Sequence, residues 1–230
     1  MIKQVYPRTI YTKRDKALLH SSLTHSLSKN SNENNLYREQ YSEYPPSISA
    51  NTINNVEVIN EYNKNCKNII PELYMVPSGI HGVCHAKRVL FLCLTLSSRI
   101  QLGKAGRNIL VEAAKFHDIG RFNDEDCEIH GCLSFKRMLD LKLANCMDTE
   151  DLQVLKYVIE NHCIEDEIAL KRLIGYRIRE KEKACRLLKI FKDADALDRV
   201  RTNDLEVSYL RHDESKKLLD LSWHLLHQLH

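Results

Sequence analysis

An all-α fold is what this sequence predicts, and three observations predict it. No proline occurs after Pro77, so residues 79–230 lack the residue that most often breaks a helix. Apolar side chains in that region recur at three- and four-residue intervals, the period of one helix face. All seven glycines lie at or after Gly79, and several of them fall between the periodic runs. With 230 residues, 43% hydrophobic and 28% charged, the chain has enough apolar material for a real core.

The first fifty residues read differently. They hold the Asn-rich run KNSNENN (29–35), the closely spaced Tyr37, Tyr41 and Tyr44, and the pair Pro45-Pro46. Little periodicity is visible, so 1–50 is expected to be an irregular or partly disordered extension. Residues 51–75 form a linker with a polar helix near 52–65, and 76–230 the helical domain. Its first helix runs from His81 to Arg99, with Val89, Leu92 and Leu96 on a stripe that continues back through His85 and His81. Gly103 and Gly106 interrupt the pattern, and 107–117 forms the next helix. A helix follows near 130–143. Asp148 then reads as an N-cap, with Glu150 and Asp151 in the first turn and Leu152, Leu155, Val158 and Ile159 on the buried face. Residues 180–194 place Ala184, Leu188 and Phe191 on one stripe, which Asp195 extends. A final amphipathic helix covers about 215–229.

Composition excludes several classes of function. A net charge of +3 is too small to argue for nucleic acid. Residues 171–201 hold eleven Lys or Arg against five Asp or Glu, and 148–167 one against seven. That asymmetry fits either an anion-facing surface or solvated helix faces, and no aromatic interleaving supports a nucleic-acid platform. The start, MIKQVYPRTIYTKRDK, lacks the apolar core of a signal peptide, and no stretch approaches a membrane span. None of the eight cysteines forms a CxxC pair, which argues against a zinc knuckle. A reducing, cytoplasmic setting is expected.

The residues that carry chemistry centre on the doublet His117-Asp118. His117 shares an apolar stripe with Leu110, Ala113 and Ala114. An imidazole and a carboxylate buried together are costly without a partner, and a metal ion is one such partner. Taken alone, the doublet reads more readily as an exposed polar cap at a helix C-terminus. Yet His85, His162 and Asp195 also extend apolar faces of other helices. Imidazole and carboxylate together suit zinc, iron, manganese, cobalt or nickel, and helical bundles commonly hold such sites.

The order His85, His117-Asp118, Asp195 resembles the HD superfamily of metal-dependent phosphohydrolases. IHGVCHAKRV (80–89) is similar to the family's first ligand helix, EAAKFHDIGRFND (112–124) to its namesake segment, and FKDADALDRVR (191–201) to its closing motif. EIHGCLS (128–134) and IENHC (159–163) resemble the extra histidine motifs of some branches. The likeness covers 76–201 and leaves the first seventy residues unaccounted for. It implies His85, His117, Asp118 and Asp195 as metal ligands, with His130 and His162 binding a second ion or contacting phosphate. The gap between Asp118 and His130 is short for the two-metal arrangement. The cofactor implied is a divalent transition metal, one ion or two, with magnesium also possible. His81, one turn before His85, is open between ligand, proton-transfer group and helix-start residue. Arg88 and Arg121 are candidate phosphate contacts, although Arg88 reads equally as a solvated helix charge. Arg199 is a candidate partner for Asp195 or Asp198. Lys115 stands where the family has an apolar residue and is expected to extend along the surface. The activity implied is hydrolysis of a phosphate mono- or diester, on a nucleotide-like small molecule first and a modified protein second. A non-hydrolytic binding module and an iron oxygenase on the same bundle are the competing classes.

Overall fold

The computed structural model describes residues 55–144 and 147–229, and the expectations for 1–50 lie outside them. Among the described residues the secondary structure is helical throughout, with no strand. Helix α1 (Val56–Cys66) is capped by Asn55, whose side chain accepts from Val58 N at 3.2 Å. The central helix α2 (Val83–Arg99) is buried almost all round, from Val83 to Ser97. Such a helix belongs in the middle of a bundle. It packs against α1, against α3 (Lys104–Phe116) and against α7 (Lys181–Leu197). Phe91, fully buried on α2, meets the Tyr62 ring of α1 edge-on at 5.2 Å. Each large side chain buried in this way contributes roughly 1.5–3 kcal/mol.

The second layer is α4 (His130–Asp140) against α5 (Thr149–Asn161), which in turn packs on α3 and α7. Asp148 caps α5 by accepting from Glu150 N and Asp151 N, both at 2.9 Å. Helix α4 stops at Asp140 rather than near 143, because Lys142 adopts a left-handed φ of 57° and turns the chain away. A short helix α6 (Asp166–Arg172), which the sequence pattern did not reveal, connects α5 to α7. The C-terminal helix expected at 215–229 is two pieces, α8 (Asp213–Lys216) and α9 (Leu219–Gln228). Both pack on α2.

The charge asymmetry between 148–167 and 171–201 resolves into ion pairs. Glu150 meets Arg179, Asp151 lies 3.6 Å from Lys183, and Asp166 pairs with Lys192 at 2.7 Å. Part of the acidic segment is thus paired with part of the basic one along the α5–α7 seam. Lys115 corrects another expectation. It is buried, with Nζ 2.5 Å from Glu112 on the same helix, so an ion pair replaces the expected path along the surface. Among the described residues no helix is long and apolar enough to cross a membrane.

Candidate metal centre

Five helices deliver the polar residues to one point in this apolar bundle. His85 sits in the first turns of α2, His117 and Asp118 follow α3, His130 opens α4, His162 caps α5, and Asp195 lies near the end of α7. Two glycines allow the approach. A Cβ at Gly120 would fall 2.5 Å from the Leu133 carbonyl carbon, and one at Gly131 would fall 2.2 Å from Ile159 O. Without side chains at these positions, α4 lies directly on the chain after Asp118 and on α5. His130 thereby reaches both.

The geometry is one of nitrogen lone pairs turned inward. His85 Nε2 lies 3.0 Å from His117 Nε2, and His130 Nε2 lies 2.8 Å from His162 Nε2. Their outer nitrogens are held. His85 Nδ1–H donates to Asp198 Oδ2 at 2.7 Å, His117 Nδ1–H to Ala114 O at 3.2 Å, and His162 Nδ1–H to Ile159 O at 2.7 Å. An acceptor at Nδ1 fixes the proton there and leaves Nε2 bare, the tautomer a metal requires. His130 meets competing demands. Its Nδ1 faces Cys127 O at 2.5 Å, which needs a donor, and Arg121 Nη1 at 2.8 Å, which needs an acceptor. A cation at Nε2 would favour the tautomer that the other three share.

Asp118 stands between the two histidine pairs, 2% exposed. Its Oδ2 is 3.6 Å from His85 Nε2 and 3.4 Å from His117 Nε2. Its Oδ1 is 3.2 Å from His130 Nε2 and 3.7 Å from His162 Nε2. Although these atoms crowd it, Oδ1 is buried without a hydrogen bond. A buried carboxylate oxygen lacking a donor costs free energy, and a cation among the bare nitrogens would remove that cost. Asp195 Oδ1 completes the first pair at 3.2 Å from His85 Nε2 and is the most open of the group. The potential ligand atoms fall into three groups, His85–His117–Asp195, His117–Asp118–His162 and His130–His162–Cys163, each with its atoms within 4.8 Å of one another. The donor set thus fits one divalent ion or two, with Asp118 facing both halves.

Electrostatics follows from this crowding. Burial would raise the Asp118 carboxyl, but His117, His130 and His162 outweigh it and hold it well below the ordinary range. Asp195 behaves likewise, with burial opposed and outweighed by His85, His117 and His162. Burial pulls His117 down to about 3 despite Asp118 beside it, so its imidazole is neutral at any ordinary pH. At His85, burial and Arg201 are outweighed by Asp195 and Asp198, and the net shift is upward.

The remaining candidates occupy different places. Arg88 does not face the centre. Its Nε and Nη2 donate to Asp198 at 2.6 and 3.1 Å, and its Nη1 to Leu229 O at 2.7 Å. The structure therefore replaces the expected phosphate contact with a brace on Asp198, the residue that orients His85. Arg199 pairs with Asp204, not with Asp195 or Asp198. Arg121 is buried beside His130, donates to Glu125 O at 2.9 Å, and has an Nε without a partner. His81 lies at the edge of the centre, 5.7 Å from the His85 ring between centroids, with Nδ1 3.1 Å from Asp124 Oδ1. Burial holds His81 down at about 4. The sequence reading did not single out the roles of Asp198 and Asp124. Asp198 was detectable, since it follows Asp195 by three residues and so shares its helix face. Asp124 was not, because its contact with His81 depends on how a loop folds back.

A model of the HD domain family matches residues 82–200, which contains every residue of this centre except His81. No curated protein and no solved structure matches the chain.

Proposed function

Because the chain belongs to the HD domain family, we propose that it is a metal-dependent phosphohydrolase cleaving a phosphate mono- or diester. One observation carries the reading: four imidazole Nε2 atoms converge on both oxygens of a buried aspartate. A divalent cation, when bound, supplies Lewis-acid chemistry at a phosphoryl oxygen and acidifies a water. His85, His117, Asp118 and Asp195 would hold it in one half, and Asp118, His130 and His162 in the other.

The chain's own residues account for the rest. Asp198, clamped by Arg88, keeps the His85 proton on Nδ1 so that Nε2 stays available. Phe191 stacks edge-on against His117 and His162, at 5.3 and 5.9 Å between ring centroids, and walls the centre from water on the α7 side. Asp195, its side chain 28% exposed, marks the side from which a substrate enters. Arg121 is the buried cation nearest the second half, and its unpartnered Nε supports a contact to a phosphoryl oxygen. His81, held by Asp124 at the edge and kept neutral by burial, would take part in proton transfer as an acceptor. A nucleotide-like small molecule is the first substrate class, in a cytoplasmic setting, and a nucleotide-modified protein is the alternative. The small net charge gives no support to a nucleic-acid substrate.

The test is elemental analysis of the purified full chain, followed by assays on an activated phosphodiester, an activated phosphomonoester and a panel of phosphorylated metabolites. We expect bound transition metal and hydrolysis of at least one compound. Asp118→Ala is expected to lose turnover while keeping its circular dichroism and melting transition. A metal-replete protein inert toward every compound would sink the proposal.

A further inference from the structure

The two halves of the centre differ in chemistry. Every donor in the first half is an imidazole nitrogen or a carboxylate oxygen. In the second, the sulfur of Cys163 joins a nitrogen of His130 and a nitrogen of His162 within 4.8 Å of one another. Cys163 directly follows His162, the cap of α5, so the helix end that sets the imidazole also sets the thiol. Its present contact is weak, an S–H donated to Glu128 O at 3.4 Å, in the strand of chain just before His130. A second feature of this half also points to a ligand. Asp118 Oδ1, on a residue 2% exposed, has no hydrogen bond and lies 3.2 Å from His130 Nε2.

We propose that Cys163 is a metal ligand of the His130–His162 half, and that this half therefore selects a thiophilic cation, zinc above all, over manganese or magnesium. The inference rests on the metal-centre reading above. Thiolate donors favour zinc and other late, soft ions, whereas carboxylate-rich sites favour manganese and magnesium. Binding breaks the S–H bond, forms a sulfur–metal bond and releases the proton to solvent, so zinc uptake at this half becomes steeper with pH. Cys127 is the internal control, since it lies on the loop leading into His130 and contributes to none of the candidate ligand groups.

The experiment uses the full chain loaded with cobalt(II), with cobalt counted by elemental analysis and the near-ultraviolet spectrum recorded. A thiolate-to-cobalt charge-transfer band is expected in the wild type and in Cys127→Ser, and its loss is expected in Cys163→Ser. Zinc affinity of the weaker half should fall in Cys163→Ser by at least the roughly 10–100-fold that loss of a supporting partner costs. A second measurement avoids the variant: alkylation of Cys163 by iodoacetamide, followed by mass spectrometry, should be slowed strongly by zinc and little by magnesium. Two bound cobalt ions without the band, a band that survives Cys163→Ser, or alkylation indifferent to zinc would each overturn the assignment while leaving the metal centre standing. Failure to bind any cobalt or zinc would overturn both.

Discussion

Two aspartates on α7, two residues apart, serve opposite purposes. Asp193, with no exposed surface, is surrounded by donors: Arg211 N at 3.0 Å, His212 N at 2.9 Å, His212 Nδ1 at 2.9 Å and Ser215 Oγ at 2.7 Å. Arg211 Nη1 adds an ion pair at 3.3 Å. It fastens the segment that leads into α8 onto the bundle. Asp195 points about 200° away around the helix, where its neighbours are the bare nitrogens of His85 and His117. One carboxylate is saturated by its own chain and the other is not. Residue type and helix are the same, although Asp195 keeps its side chain 28% exposed. What separates structure from function here is whether the protein supplies the hydrogen bonds.

The comparison is broken most directly by removing each carboxylate in turn. Asp193→Ala should destabilise the protein by about 3–5 kcal/mol, since it strands a buried network of donors. Asp195→Ala should leave the metal-free protein as stable as the wild type while lowering bound metal. Urea denaturation in chelator, paired with elemental analysis, checks both, and equal destabilisation would erase the distinction. A smaller effect sharpens it. Arg88→Met leaves every first-half ligand in place but frees Asp198, and metal affinity should fall about 10–100-fold. Competition with a chromogenic chelator measures this, and an unchanged affinity would mean that Asp198 orients His85 unaided.

The smallest effect concerns the exposed end of the Asp193 network. Asp166 accepts from Arg211 Nε at 2.7 Å and from Lys192 Nζ at 2.7 Å. Burial opposes ionisation there, but Arg211 and Lys192 outweigh it and take the carboxyl down to about 2 from 3.8. A carboxyl depressed on folding contributes its stability above pH 3.8 and loses it as pH falls toward about 2. Asp166→Asn should therefore flatten the melting temperature against pH within that window and leave a slight loss above it. The group is 41% exposed, so screening by solvent keeps the effect small.

How much could be read beforehand depended on how local the signal was. Helices α2, α3, α5 and α7 follow from apolar period, and Asp148 from its own side chain as a cap. The histidines and aspartates of the centre could be proposed because each extends an apolar stripe. Arg88 was misread because its partner, Asp198, is 110 residues away, and nothing at position 88 distinguishes a brace from a substrate contact. Lys115 was misread because its burial depends on Glu112 turning with it. The close approach of α4 rests on two absent Cβ atoms, and a glycine in sequence does not say which backbone it admits.

The hydrogen bond from Arg88 to Leu229 O ties the far end of α9 to the guanidinium that holds Asp198. Lifting α9 away would cost that guanidinium a partner without touching any candidate ligand. The last helix and the first imidazole, far apart along the chain, thus share one joint, and a disturbance at either is felt at the other.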